Sequence, residues 1–222
     1  NKTYGDADFD PGATSDNNNT AIGYASSNTT VATIVSGKIH IVGGGTTDIT
    51  VSQAADATDY AAADVIKTLT VDKKALTITL NSTPAVTKIY DGTPAATLAA
   101  SNYILNGVVG SDAVIVTSTA SYDDANTGTA KTVTAGGFVL SGAQGDNYIN
   151  STVSATTTGS IGVRPLTVTA DAQSKSYGEA DPALTYQITS GNLVTGDSFT
   201  GLLTRDAGED AGNYAIHQGT LA

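Results

Sequence analysis

An all-β fold in tandem modules is what this 222-residue chain predicts, on three observations. Short apolar–polar alternations recur along it, turn dipeptides separate them, and one motif returns at a fixed interval. The motif is Lys-x-Tyr followed by a tight turn: Lys2-Thr3-Tyr4-Gly5, Lys88-Ile89-Tyr90-Asp91-Gly92 and Lys175-Ser176-Tyr177-Gly178. Its tyrosines lie 86 and then 87 residues apart, counting from 4 to 90 and from 90 to 177. Short solenoid repeats run roughly 20–50 residues. A longer period predicts small domains with separate cores, strung as beads.

Taken in order, the first module spans 1–74. Residues 38–42 read as a strand that ends in a Gly43-Gly44-Gly45 turn, and residues 66–71 alternate in the manner of a half-buried strand. The Ala-rich run 54–63 suits a single helical turn or a loop. The second module spans 75–164. It opens on Leu76-Thr77-Ile78-Thr79-Leu80, and Asp91-Gly92 and Asn106-Gly107 read as hairpin-type turns. Residues 95–100 are again a helical turn or loop. Thr132-Val133-Thr134 is expected to end at a Gly136-Gly137 turn, with Phe138-Val139-Leu140 resuming beyond it. The third module, 165–222, opens on Leu166-Thr167-Val168-Thr169-Ala170. An Asp/Asn-Tyr pair comes late in each module: Asp59-Tyr60, Asn147-Tyr148 and Asn213-Tyr214. Strands at this spacing predict small β-sandwiches or barrels. No Gly/Ser- or Pro-rich linker stands near 74/75 or 164/165, so the junctions are expected to be semi-rigid and the array an elongated rod. By comparison with the second module, the first lacks a leading strand and the third a closing one. Each is expected to leave a sheet edge unpaired.

Composition narrows the function. Ten Lys/Arg against 21 Asp/Glu give a net charge of −11, which argues against nucleic acid and against anionic lipid surfaces. The longest apolar runs are four residues, far short of the roughly 20 that membrane insertion needs. Nineteen acids are Asp and only Glu179 and Glu209 are Glu, which favours turns over helices. With no cysteine there are no disulfides, and stability must come from cores and β ladders.

The repeat tyrosines Tyr4, Tyr90 and Tyr177 could stack on a glycan, but a Tyr before a turn more often packs across a strand end and bonds the backbone. Tyr60, Tyr148 and Tyr214 resemble the corner tyrosines of sandwich folds, whose hydroxyl ties down a loop. Three acidic clusters are candidate calcium ligands: Asp6, Asp8 and Asp10; Asp123 and Asp124, followed by Asn126; and Asp206, Glu209 and Asp210. Calcium takes 6–8 hard oxygen ligands, although none of these clusters has EF-hand spacing. His40 and His217 lack partners at zinc-site spacing. Gly43-Gly44-Gly45 lacks the Lys-Ser/Thr of a phosphate loop, and no G-x-S-x-G elbow occurs. No catalytic residue is expected.

The third module is similar to the MBG repeat of the YGX type, through Lys175-Ser176-Tyr177-Gly178-Glu179-Ala180-Asp181-Pro182, Phe199-Thr200-Gly201-Leu202-Leu203-Thr204-Arg205 and Gly212-Asn213-Tyr214. The second resembles the YDG repeat through Tyr90-Asp91-Gly92-Thr93, 107–112 and 142–148. The first resembles bacterial Ig-like or MBG-related repeats through Ser26-Ser27-Asn28-Thr29-Thr30-Val31-Ala32-Thr33-Ile34 and 38–49. The resemblance implies Ig-like or β-grasp-like modules of a large bacterial surface adhesin, gliding-motility adhesins among them. Such a protein is exported to the cell surface and contacts host or environmental glycans or proteins. The resemblance transfers no catalytic residues, and no cofactor is expected beyond calcium at the acidic clusters.

Overall fold

The computed structural model describes residues 1–59 and 61–222. It is all-β, with two short 3₁₀ turns at Ala100–Asn102 and Gly145–Asn147. The Ala-rich runs form no α-helix: 54–59 and 61–64 are irregular, and Ala95–Ala96 is a strand.

In the first module, β1 (Lys2–Thr3), β2 (Ile22–Ser26), β5 (Gly45–Gln53) and β6 (Val65–Asp72) form one sheet in the order β1-β6-β5-β2. The hairpin of β3 (Ala32–Val35) and β4 (Lys38–Ile41) stands apart from it. Ser36 and Gly37, both at positive φ (52° and 76°), make its two-residue turn, the geometry that matches the twist of paired strands. Alternation places Ala32, Ile39 and Ile49 in a core with Phe9, Tyr24 and Leu69 against it.

The second module holds two sheets. The first orders β10 (Tyr103–Asn106), β7 (Lys74–Leu80) and β13 (Tyr148–Asn150) as β10-β7-β13. The second runs β8-β14-β12-β11-β9, from β8 (Val86–Ile89), β9 (Ala95–Ala96), β11 (Ile115–Tyr122), β12 (Gly128–Ser141) and β14 (Ser154–Gly162). Asp91-Gly92 and Asn106-Gly107 are turns but not hairpins. The first joins the two edges of the five-stranded sheet, which must curl to bring them together, and the second crosses from one sheet to the other. Gly136-Gly137 is not a turn either, because β12 runs through it unbroken. Between Thr117/Thr119 and their partners β12 carries one extra residue, and Gly137 at φ 63° absorbs it as a β-bulge. Val86, Tyr122, Val133 and Ile161 fill the core of this sheet, and the Tyr122 hydroxyl bonds the carbonyls of Val86 and Ser160 at 3.1 and 3.2 Å.

The third module contributes β15 (Thr167–Ala170) with β16 (Tyr186–Ser190), and β17 (Thr204–Arg205) with β18 (Ile216–His217). Leu221 is the buried apolar residue of this module among the described residues. Tyr214 and Tyr148 turn out not to be counterparts. Tyr148 opens β13, which pairs parallel with β7, whereas Tyr214 lies in the irregular segment before β18, which is antiparallel to β17.

One expectation is corrected at the first junction. Tyr4, Val31, Ile41 and Val71 of the first module share one buried cluster with Leu76 and Tyr148 of the second. Only Lys73 separates β6 from β7, too short a connection for two independent beads.

Candidate functional site

The first two Lys-x-Tyr turns stand where modules meet, because each of these follows a strand paired parallel to the last strand of its own module, whereas Lys175–Tyr177 follows no strand. β1 pairs with the end of β6, and the Tyr4 amide donates to Asp72 O at 2.9 Å. β8 pairs with the end of β14, and the Tyr90 amide donates to Gly162 O at 2.9 Å. Each turn therefore faces the start of the next module.

What each tyrosine meets there is the same. The Tyr4 hydroxyl donates to Asp112 Oδ2 at 2.8 Å, and the Tyr90 hydroxyl donates to Asp197 Oδ1 at 3.1 Å. Three residues before each aspartate a valine lies over the glycine of the turn. A Cβ built on Gly5 would stand 2.6 Å from a Val109 methyl, and one on Gly92 2.6 Å from a Val194 methyl. Both glycines hold positive φ, 89° and 78°, so they serve the turn and the close approach together. Two copies of one joint thus link three modules: a tyrosine turn on one side, a Val-x-x-Asp turn on the other.

The first joint is the drier. Tyr4 is 8% exposed and meets Tyr148 edge to face, with ring centroids 5.5 Å apart. The Tyr148 hydroxyl also bonds Asp112 and accepts the Val109 amide at 2.9 Å. Burial, then the bond to Asp112, pushes the Tyr148 hydroxyl up to about 12, and the same causes raise Tyr4. Asn147 adds a contact by accepting the Gly44 amide at 3.0 Å, so the Gly43-Gly44 bend is part of the interface. Tyr90 is half-buried, and its bond to Asp197 raises its hydroxyl. Lys88 fixes this second turn by bonding Asp91 at 2.6 Å and Thr93 O at 2.6 Å, which holds the Asp91 carboxyl at about 2.

The candidate calcium ligands mostly bond separate protein groups, and only Asp123 and Asp124 converge, on a lysine. Asp6 accepts the Thr3 amide, Asp8 pairs with His40 at 2.7 Å, and Asp10 accepts the Gly12 amide at 2.7 Å. Asp123 and Asp124 each meet Lys131 Nζ at 2.8 Å. Asp206 pairs with His217 at 2.7 Å, while Glu209 meets Lys175 at 2.8 Å and Arg205 at 2.7 Å. The backbone carbonyl of Asp210 accepts the Tyr214 hydroxyl at 2.8 Å. Among the described residues no three His, Cys, Asp or Glu side chains stand together as a metal group. Tyr60 lies outside the described residues.

In the third module Arg205 forks onto Asp181 at 2.8 and 3.0 Å and lies 5.0 Å from the Tyr214 ring centroid. Arg205, then Lys175, holds the Asp181 carboxyl at about 2. These residues floor a cleft of about 780 Å³ that Tyr177 and Leu202 also line.

Asp112, Asp197, Val109 and Val194 were not singled out by sequence reasoning. A signal existed: Val-x-x-Asp recurs at 109–112 and 194–197, in the same phase as the tyrosines.

Residues 72–158 match the YDG domain and residues 166–222 the MBG domain of the YGX type. The chain thus carries tandem domains of the MBG/YDG repeat type. No curated protein matches it significantly.

Proposed function

We propose that this chain is a stalk segment of a large secreted bacterial surface adhesin, which spaces binding regions away from the cell. The observation that carries the reading is the joint repeated at both junctions. A tyrosine hydroxyl on a carboxylate and a valine over a glycine set how one module meets the next. YDG and MBG domains are consistent with repeats of the adhesin type. The accessible surface, 13,554 Å², supports an elongated array. A compact chain of this mass would expose roughly 9,400 Å².

In this reading the tyrosines, ion pairs and Asp turns serve the architecture, and the segment performs no reaction. The partners are neighbouring modules of the same chain, with surface glycans or proteins met by the parent adhesin at the cell exterior. Small-angle scattering tests the stalk. The radius of gyration should lie well above the roughly 17 Å of a compact chain of this length. A value near the compact one would remove the stalk from the account.

A further inference from the structure

We propose that the Tyr177-Gly178 turn is a docking site for the Val-x-x-Asp turn of a further module of this same kind. The two occupied joints define both the site and its occupant. In each, the turn of Lys-x-Tyr presents a hydroxyl to an aspartate and a bare glycine to the valine three residues before it. Lys175-Ser176-Tyr177-Gly178 repeats the presenting side. Gly178 holds φ 89°, the value of Gly5, yet nothing stands within 4 Å of the position its Cβ would take. Tyr177 is 79% exposed, against 8% for Tyr4. Leu202, 75% exposed, lines the same cleft and extends its apolar wall.

The chain cannot fill the site from its own known turns. Val109–Asp112 is engaged by Tyr4, and Val194–Asp197 by Tyr90. Lys175 and Arg205 are also engaged, by Asp181 and Glu209, so among the described residues the cleft offers no free cation to draw in an unrelated anion. What it offers is a phenol and an apolar wall, the pair that the Val-x-x-Asp turn matches. The inference rests on the tandem-module reading of the stalk. Its test reads binding at Tyr177, whatever the shape of the whole chain.

The probe is a head-to-tail cyclic peptide with the sequence of residues 190–199, titrated into the isotope-labelled full chain and followed by NMR. Saturable shifts are expected at Tyr177, Gly178 and Leu202. Affinity should fall about tenfold or more for the peptide carrying Asp197→Asn and Val194→Ser, and for the chain carrying Tyr177→Phe. A second arm uses intact chains. Tyr90→Ala removes the hydroxyl that engages the exposed Asp197, so this variant should self-associate with concentration, and adding Tyr177→Ala should return it to monomer. The proposal is overturned if the native and substituted peptides shift the same residues equally. It is also overturned if the native peptide is silent at Tyr177 while the Tyr90→Ala chain stays monomeric.

Discussion

Asp112 is the residue on which the first joint turns, since it accepts from two tyrosines that approach from different modules. Removing it leaves two poorly hydrated hydroxyls without their acceptor, each costing about 1–3 kcal/mol. Asp112→Ala should therefore lower stability by about 2–4 kcal/mol in urea denaturation, whereas Asp197→Ala, at an exposed carboxylate, should leave the midpoint nearly unchanged. Equal effects would mean that the two joints do not differ in dryness. The same joint sets an alkaline limit. The fold favours the neutral Tyr148 hydroxyl, so its contribution is complete below the ordinary tyrosine value of about 10 and is lost as pH rises toward about 12. Denaturation midpoints measured across that window should fall, and Tyr148→Phe should shrink the fall. On the acid side the sign reverses. Asp91 and Asp181, held at about 2, contribute above the ordinary carboxylate range and lose that contribution as pH drops toward about 2. The recurrence of Val-x-x-Asp marked Asp112 and Asp197 in the sequence, but not which tyrosines they meet. Asp112 and Asp197 are lone acids in loops, and their tyrosines stand 108 and 107 residues away along the chain.

Among the elements, the second module's curled sheet depends on a residue without a side chain. A Cβ on Gly159 would meet Val86 O at 2.6 Å and both Tyr122 and Val133 at 2.9 Å. Gly159→Ala should cost about 1–3 kcal/mol through overpacking, while Gly212→Ala, with nothing within 4 Å, should change the melting temperature little. Matching losses at the two sites would contradict the packing assigned to Gly159. The third module is built from short two-stranded ribbons with little burial, so its amides should exchange faster than those of β11, β12 and β14. Hydrogen exchange resolved by residue checks this, and protection of β15–β18 equal to that of β12 would refute it. Strands were legible wherever one face is apolar, as in β7, because alternation is a local property. Connections were less so. Gly136-Gly137 has the composition of a turn yet is a bulge, and Asp91-Gly92 has that of a hairpin yet joins opposite edges of a sheet. In both cases strand partners far along the chain decide the outcome, and no local window contains them.

For the whole molecule, the sequence period made the tandem organisation visible, but not the way the modules are joined. The expectation of separate cores gave way at the first junction, where one apolar cluster runs from Tyr4 and Val71 to Leu76 and Tyr148. A shared core and a repeated tyrosine joint should make the array move as a semi-rigid body. The direct test is the spread of distances between the outer modules. The chain has no cysteine, so two spin labels can be placed cleanly, one at exposed Lys38 and one at exposed Gln187. Electron–electron resonance should return a single narrow distance distribution for the otherwise native chain and a broadened one for the same chain carrying Asp112→Ala. A broad distribution before that change, or one that the change leaves untouched, would contradict the claim that the tyrosine joints hold the modules in line.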